Sequence, residues 1–290
     1  MNSFDLRLKA PAKINLVLRV LARRSDGYHE LETWMQKVGL FDVVTLRLRK
    51  SPGIEMSCST EALPQDEGNL VWRAAELFFR HSVRSLGWGL AIDLQKNIPI
   101  AAGLGGGSSD AGTVLRGLNT LFDNELSEEA LLELALMLGA DVPFFTVDAQ
   151  SVLATGVGEK MVPVNPLSPC SFLLVNPGFS VSTAAVFEKF ALTEAAKNST
   201  ISGLPKLRPE TLTLSDLEND LEKVTLEMFP VIGDIKDELR DAGADHVLMS
   251  GSGPTVFAVF TGSLRRRHEA VERAADRMRR TRGEILYRVE

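Results

Sequence analysis

The stretch Pro99-Ile100-Ala101-Ala102-Gly103-Leu104-Gly105-Gly106-Gly107-Ser108-Ser109-Asp110-Ala111-Gly112 puts four glycines into five positions and ends them in two serines. A helical pattern begins at once. Such a run has almost no side chain to bury, so it is not core. It lines up backbone N–H groups at a helix start, where the macrodipole and the unbonded first-turn donors favour an anion. The guest this predicts is a phosphate, from a nucleotide. Two familiar phosphate loops do not match. A Walker A loop needs a lysine after Gly107, and a Rossmann turn needs its third glycine there; Ser108 stands at that position. A flexible linker is the plain alternative, and the strand and helix patterns on either side speak against it.

Outward from the loop, residues 90–94 read as a strand leading in, and 109–121 as a helix with Val114, Leu115 and Leu118 on its apolar side. The spacing of Ala74, Leu77 and Phe78 predicts a helix over 70–81. Ser127 offers an N-cap, Glu128 and Glu129 suit the first turn, and Gly139 ends that helix after Leu138. In 12–20, Ile14, Leu16, Leu18 and Val20 alternate with Lys13, Asn15, Val17 and Arg19, which predicts a strand with Lys13 and Asn15 on the face away from the core. Ser25-Asp26-Gly27 marks a turn, and 30–38 and 43–48 look extended. Beyond 139 the pattern predicts strands at 171–175, 255–260 and 285–289. It predicts helices at 181–190, 215–228, 231–242 and 264–280, with a polar, proline-bearing loop over 192–212. Strands and helices mix without regular βαβ alternation, so the class expected is α+β. Prolines at 163, 166 and 169 suggest a boundary, giving domains 1–163 and 164–290.

Composition narrows the function classes. With 44% hydrophobic and 24% charged residues the chain is that of a soluble globular protein. A net charge of −6 argues against a nucleic-acid partner held by phosphate neutralisation. Cys58 and Cys170 are too few and too far apart for a disulfide framework or a thiolate metal site. The first residues lack a basic, then apolar, leader, and no long apolar span follows, so a cytoplasmic location without membrane contact is expected.

Phosphoryl transfer needs a carboxylate to take the acceptor's proton and a cation near the moving group. Asp141, two residues before Pro143, and Lys13 supply these residue types. Taken singly, Asp141 also suits a helix or turn cap and Lys13 a solvated strand face. Tyr28 and His29 follow the Gly27 turn and could stack on and hydrogen-bond a base, although a histidine in a loop is more often merely exposed. Met249-Ser250-Gly251-Ser252-Gly253-Pro254-Thr255 is a second small-residue turn, equally readable as an ordinary tight turn. Arg265-Arg266-Arg267-His268 reads as a solvated helix face, because Val271, Ala274 and Met278 account for the other side.

Three motifs taken together resemble the GHMP small-molecule kinase superfamily: Ala10-Pro11-Ala12-Lys13-Ile14-Asn15-Leu16, the loop from Pro99 to Ser109, and Ser250-Gly251-Ser252-Gly253-Pro254-Thr255. They stand in the family's order and span nearly the whole chain. Asp26-Gly27-Tyr28-His29-Glu30-Leu31, Leu138-Gly139-Ala140-Asp141-Val142-Pro143-Phe144-Phe145 and Asn219-Asp220-Leu221-Glu222 give a finer match. It is to members of the non-mevalonate isoprenoid route whose small-molecule acceptor is a cytidine-diphosphate alcohol. The resemblance implies a two-domain GHMP kinase fold, with an N-terminal domain like ribosomal protein S5 domain 2, a ferredoxin-like C-terminal domain and an active site in the cleft between them. It implies ATP as co-substrate with Mg²⁺ held by its phosphate oxygens, and a monomer or homodimer. By the same resemblance Asp141 is the base, and Lys13 holds the hydroxyl and offsets charge. Asn15 positions the acceptor. Pro99, Gly103, Leu104, Gly105, Gly106, Gly107, Ser108 and Ser109 wrap the triphosphate, and Asn69 and Lys96 face the adenosine half. Tyr28 and Phe187 sandwich the cytosine, His29 reads its edge, and Thr183 adds a hydroxyl. A GHMP kinase for a homoserine- or mevalonate-type alcohol, or a non-catalytic nucleotide-binding protein, are the alternatives. Ala101 and Ala102 replace glycines common in relatives, which stiffens the approach to the loop, and Asp110 adds a negative charge close to the expected phosphates.

Overall fold

The structure is a computed structural model that describes residues 5–196, 212–282 and 285–289. It divides into two compact units interleaved along the chain, Met1–Ala12, Phe41–Ile98 and Gly105–Ala149 in the first, and Lys13–Leu40, Pro99–Leu104 and Gln150–Glu290 in the second. Two long strands, β1 (Asp5–Arg23) and β2 (His29–Arg49), contribute residues to both. The two extended stretches expected at 30–38 and 43–48 are thus parts of one strand.

In the first unit, β3 (Gly53–Cys58) runs parallel to β4 (Gly89–Gln95), and β4 runs antiparallel to β2 with Val43 opposite Gln95 and Arg49 opposite Gly89. Three helices follow the pattern of the sequence, α1 (Leu70–His81), α2 (Gly106–Leu121) and α3 (Glu128–Leu138), and a short α4 (Val142–Thr146) that the pattern does not predict comes after them. Local chemistry explains their ends. Asn69 caps α1 by accepting from Val71 N at 2.9 Å, Ser127 caps α3 by accepting from Ala130 N, and Pro143 sits in the first turn of α4. Helix α2 begins at Gly106, inside the glycine run and three residues before the predicted start. Phe78, Leu90, Val114, Leu118 and Val142 belong to the one apolar core that these helices and strands share.

The second unit holds a four-stranded antiparallel sheet in the order β11-β7-β10-β9, from β7 (Cys170–Asn176), β9 (His246–Met249), β10 (Val256–Thr261) and β11 (Ile285–Val289). Helices α7 (Val231–Asp241) and α8 (Leu264–Arg282) bury Ile235, Leu239, Val271 and Met278 with it. This order, with a helix in each crossover, is the ferredoxin-like arrangement. The same unit contains β5 (Ser151–Gly156), paired antiparallel with β2, β6 (Lys160–Pro163), and the two-residue β8 (Glu218–Asn219), parallel to β1. Helix α5 (Thr183–Ala196) runs past the 192 start expected for a loop, and the rest of that loop, 197–211, lies outside the described residues. The helix expected at 215–228 is shorter. A 3₁₀ turn at Leu214–Asp216 and β8 precede α6 (Glu222–Met228), because Asn219 spends its side chain on other backbone.

Gly112 is the contact that lets α4 lie against α2: a Cβ there would come 2.8 Å from Phe145 Cβ and 3.1 Å from Val142 O. Gly112→Ala is expected to destabilise the first unit by about 1–3 kcal/mol through overpacking, read as a lower midpoint in chemical denaturation; an unchanged midpoint contradicts the packing.

Candidate active site

The glycine loop is built from left-handed backbone. Gly103 (φ 76°) and Gly105 (φ 69°) adopt it freely, and Ala101 (φ 51°) adopts it against the preference of a residue with a Cβ. Gly103 has a second reason to be glycine, since a Cβ would lie 2.2 Å from Ser250 O. The loop is fastened to the two other motifs by backbone contacts. Ser250 Oγ donates to Gly103 O (2.9 Å) and accepts from Asn15 N (3.4 Å), Lys13 N donates to Leu104 O (2.9 Å), and Thr255 N donates to Ala102 O (3.4 Å). Asn219 holds the third motif in turn, its Nδ2 donating to Met249 O and Gly251 O, each at 2.8 Å. The turn at 249–255 is therefore a structural partner of the glycine loop. At the start of α2, Ser109 N makes the first helical bond, to Gly105 O (2.8 Å). The N–H groups of Gly106, Gly107 and Ser108 precede it and have no intrahelical acceptor. A Cβ at Gly107 would meet nothing within 4 Å, so an approaching anion meets bare backbone there. Ser109 Oγ is buried without a partner among the described residues.

Lys13 and Asn15 lie differently from the sequence expectation. Both are buried, at 4% and 2% exposure, so β1 is covered on both faces here and the alternation marks no solvent side. The buried polar groups satisfy one another, as they must. Lys13 Nζ donates to Asn15 Oδ1 (2.5 Å), Asn15 Nδ2 to Thr33 Oγ1 (2.8 Å), and Thr33 Oγ1 to Val17 O (2.7 Å). Asp141 occupies the N-cap position of α4, but its carboxylate makes no capping bond. Asn69 commits its side chain to capping α1 and to Pro64 O (2.8 Å). Lys96 Nζ pairs with Asp42 and Asp110, two buried carboxylates. Burial pulls that ammonium's pKa down, yet Asp110 and Asp42 together hold it above its ordinary value. Asp42 was not singled out from the sequence; the available signal was an acid set between Leu40-Phe41 and Val43-Val44 in an apolar strand.

Tyr28 stands 64% exposed beyond the Gly27 turn. His29 stacks on Phe187, with ring centroids 5.0 Å apart and planes at 26°, and its Nε2 is buried with no partner among the described residues. Thr183 Oγ1 lies 2.8 Å from Ser252 Oγ, which ties the start of α5 to the third motif. A cavity of about 270 Å³ lined by Gln36, Gln150, Leu167, Cys170, Phe172 and Arg267 contains none of the residues expected to bind ATP or the acceptor. Burial pushes the Cys170 thiol up to about 11, so it holds its proton near neutral pH. Among the described residues no three metal-ligating side chains cluster, and no helix is long and apolar enough to cross a membrane.

The family models fit this arrangement. The GHMP kinases N terminal domain matches residues 69–148, and the GHMP kinases C terminal matches 204–284. The chain belongs to the GHMP kinases. A curated relative from Desulfotalea psychrophila, named 4-diphosphocytidyl-2-C-methyl-D-erythritol kinase, is 48% identical over 89% of this chain and 87% of its own length. A crystal structure of a 4-(cytidine 5'-diphospho)-2C-methyl-D-erythritol kinase superposes with a TM-score of 0.75 at 32% identity, covering 98% of each chain. The homoserine kinase of Cytophaga hutchinsonii shares the fold, with a TM-score of 0.70 at 20% identity, 100% of this chain and 96% of that one being covered.

In this GHMP kinase the His29 ring is predicted to titrate low. Burial first, and the Arg23 charge second, disfavour its protonated form, so its pKa lies below 6.5. The unfolded chain binds the proton more readily, so acidification through 6.5 removes stability. An NMR titration should place the His29 midpoint below 6.5, and Arg23→Ala should raise it part of the way back. A midpoint at or above 6.5 contradicts the burial of the ring.

Proposed function

We propose that the chain transfers the γ-phosphoryl group of ATP to the 2-hydroxyl of 4-diphosphocytidyl-2-C-methyl-D-erythritol, the compound in the names of the relative and of the crystal structure at 32% identity. The observation that carries the choice of acceptor is the His29–Phe187 stack, an aromatic face beside a buried imidazole nitrogen without a partner. A cytosine offers a ring to stack and a polar edge to bond, and would satisfy both. A homoserine- or mevalonate-type alcohol has no ring to stack on Phe187.

The roles we propose for the residues are those the family resemblance implies. Asp141 takes the proton of the acceptor hydroxyl, and Lys13, kept rigid by Asn15, holds that hydroxyl and offsets developing charge. Asn15 also steers the methylerythritol end. The triphosphate lies on the backbone of Gly103, Leu104 and Gly105 and on the donors of Gly106, Gly107, Ser108 and Ser109, with Pro99 setting the path of the chain into the loop. Asn69 and Lys96 border the adenosine half. Tyr28 closes over the cytosine from the side opposite Phe187, and Thr183 adds a hydroxyl to the same pocket. The phosphate oxygens of ATP would hold Mg²⁺, which would supply charge neutralisation there, with no side chain assigned to it. ATP-binding work falls to residues 1–163, and 164–290 form the C-terminal domain. The setting that suits this reading is the cytoplasm, where ATP is supplied, and the state expected is a monomer or homodimer.

A coupled assay of ADP release tests the reading. The wild-type protein should turn over ATP with the cytidyl alcohol and not with homoserine or mevalonate; the reverse preference overturns the acceptor. Asp141→Ala should lower kcat by roughly 10²–10⁴ if Asp141 is the base, and a folded variant with near wild-type turnover removes it from that role.

A further inference from the structure

Asp42 lies inside β2 and is fully buried. A buried carboxylate is costly unless donors surround it, and three do. Asn97 N (2.5 Å) and Ile98 N (2.8 Å) donate to Oδ1, and Lys96 Nζ donates to Oδ2. The same ammonium donates to Asp110 Oδ2 at 2.7 Å, near the start of α2. Both partners are out of water, the Lys96 side chain at 7% exposure and that of Asp110 at 1%. One cation thus ties the residues before the glycine loop to the helix after it. Gly106 is packed against the tie, since a Cβ there would lie 3.0 Å from Ile98 Cγ2 and 3.3 Å from Lys96 Nζ. The chain between 98 and 106 leaves from, and returns to, fixed ends.

The geometry points to Asp42 and Asp110 as positioning residues of the nucleotide site: acting through Lys96, they clamp the two ends of the glycine loop and so aim the backbone donors at the triphosphate. This rests on the reading of that loop as the ATP cradle. The two acids differ in a way that makes the clamp testable. Both oxygens of Asp42 face donors, so an amide must turn its NH₂ against either the ammonium or the two backbone N–H groups. Asp110 uses only Oδ2, and its Oδ1 has no partner among the described residues. An amide at Asp110 keeps the acceptor that Lys96 needs. Burial first, with Asp42 adding to it against the pull of Lys96, already pushes the Asp110 carboxyl up to about 7, so a neutral group suits the position. Asp110 thus faces Lys96 rather than the proposed phosphate site, and adds little charge there.

The test is steady-state kinetics on isosteric variants of the full chain. Asp42→Asn should raise KM for ATP about tenfold or more while kcat and the KM of the alcohol stay within about threefold, because a buried donor loses its acceptor without any change to the reacting groups. Asp110→Asn, the conservative change, should keep the KM for ATP within about threefold of wild type, and Asp110→Ala should behave like Asp42→Asn. An unchanged KM for ATP in Asp42→Asn overturns the clamp, and so does an equal rise in both KM values. Should Asp42→Asn fail to fold, hydrogen exchange of the wild-type protein without nucleotide decides. The amides of Asn97 and Ile98 should be protected by about a hundredfold or more, and exchange at the rate of an open loop overturns the clamp. If the wild-type protein transfers no phosphoryl group to the alcohol, it is the functional reading that fails. The clamp is then judged by the calorimetric Kd for ADP of the same variants, with the same expected order.

Discussion

The hydroxyl of Ser250 holds together what the sequence keeps far apart. It donates to Gly103 O and accepts from Asn15 N, so one oxygen joins the glycine loop, the N-terminal strand and a turn near the end of the chain. The approach is so close that position 103 tolerates no Cβ. A loop with almost no side chains has nothing of its own to hold its shape, and its conformational entropy is high. Its backbone is fixed by partners with shape: Ser250 through its hydroxyl, and Thr255 and Lys13 through main-chain N–H groups. Asn219 in turn holds the residues on either side of Ser250, through Met249 O and Gly251 O. The path of the loop is set by the protein alone, which is the economy of a preorganised anion site and suits the nucleotide role proposed for it.

Buried polar residues follow the same logic elsewhere. Lys13, Asn15 and Thr33 form a chain in which each donor meets an acceptor and the last bond returns to the main chain at Val17. Lys96 stands between two buried acids. Such networks rigidify a site when every member is satisfied. Of the five buried side-chain atoms without partners among the described residues, three, Ser109 Oγ, Asp110 Oδ1 and His29 Nε2, belong to residues of, or next to, the sites proposed for ATP and the cytosine, and two, Ser171 Oγ and Arg267 Nε, do not. A native fold keeps few such atoms, and a ligand is one reason to keep them.

Much of this was legible in the sequence. The helices over 70–81 and 128–138 carry their own caps, Asn69 or Ser127 at one end and, for the latter, Gly139 at the other, so local chemistry was enough. The glycine loop was legible because so few other roles suit it. The faces of β1 were not. Alternation identifies a solvent side only when one face is wet, and here Lys13, Asn15 and Val17 are as buried as Ile14 and Leu16. The bounds at 215–228 failed because Asn219 and Asp220 make tertiary bonds, to Met249 O and Val20 N among others, that no local pattern encodes. Helix α4 is too short for periodicity to register. Asp42 was hidden for a related reason: the donors that justify it lie more than fifty positions away.

The central claim is that a hydroxyl from the far end of the chain keeps the nucleotide cradle in shape. Titration calorimetry of ATP into Ser250→Ala tests it most directly, because the change removes one oxygen and leaves every proposed nucleotide contact in place. The account predicts a Kd weakened by roughly five- to a hundredfold, the range for leaving a buried acceptor unsatisfied, with the ferredoxin-like sheet intact by circular dichroism. A folded Ser250→Ala protein that binds ATP as tightly as the wild type would contradict it.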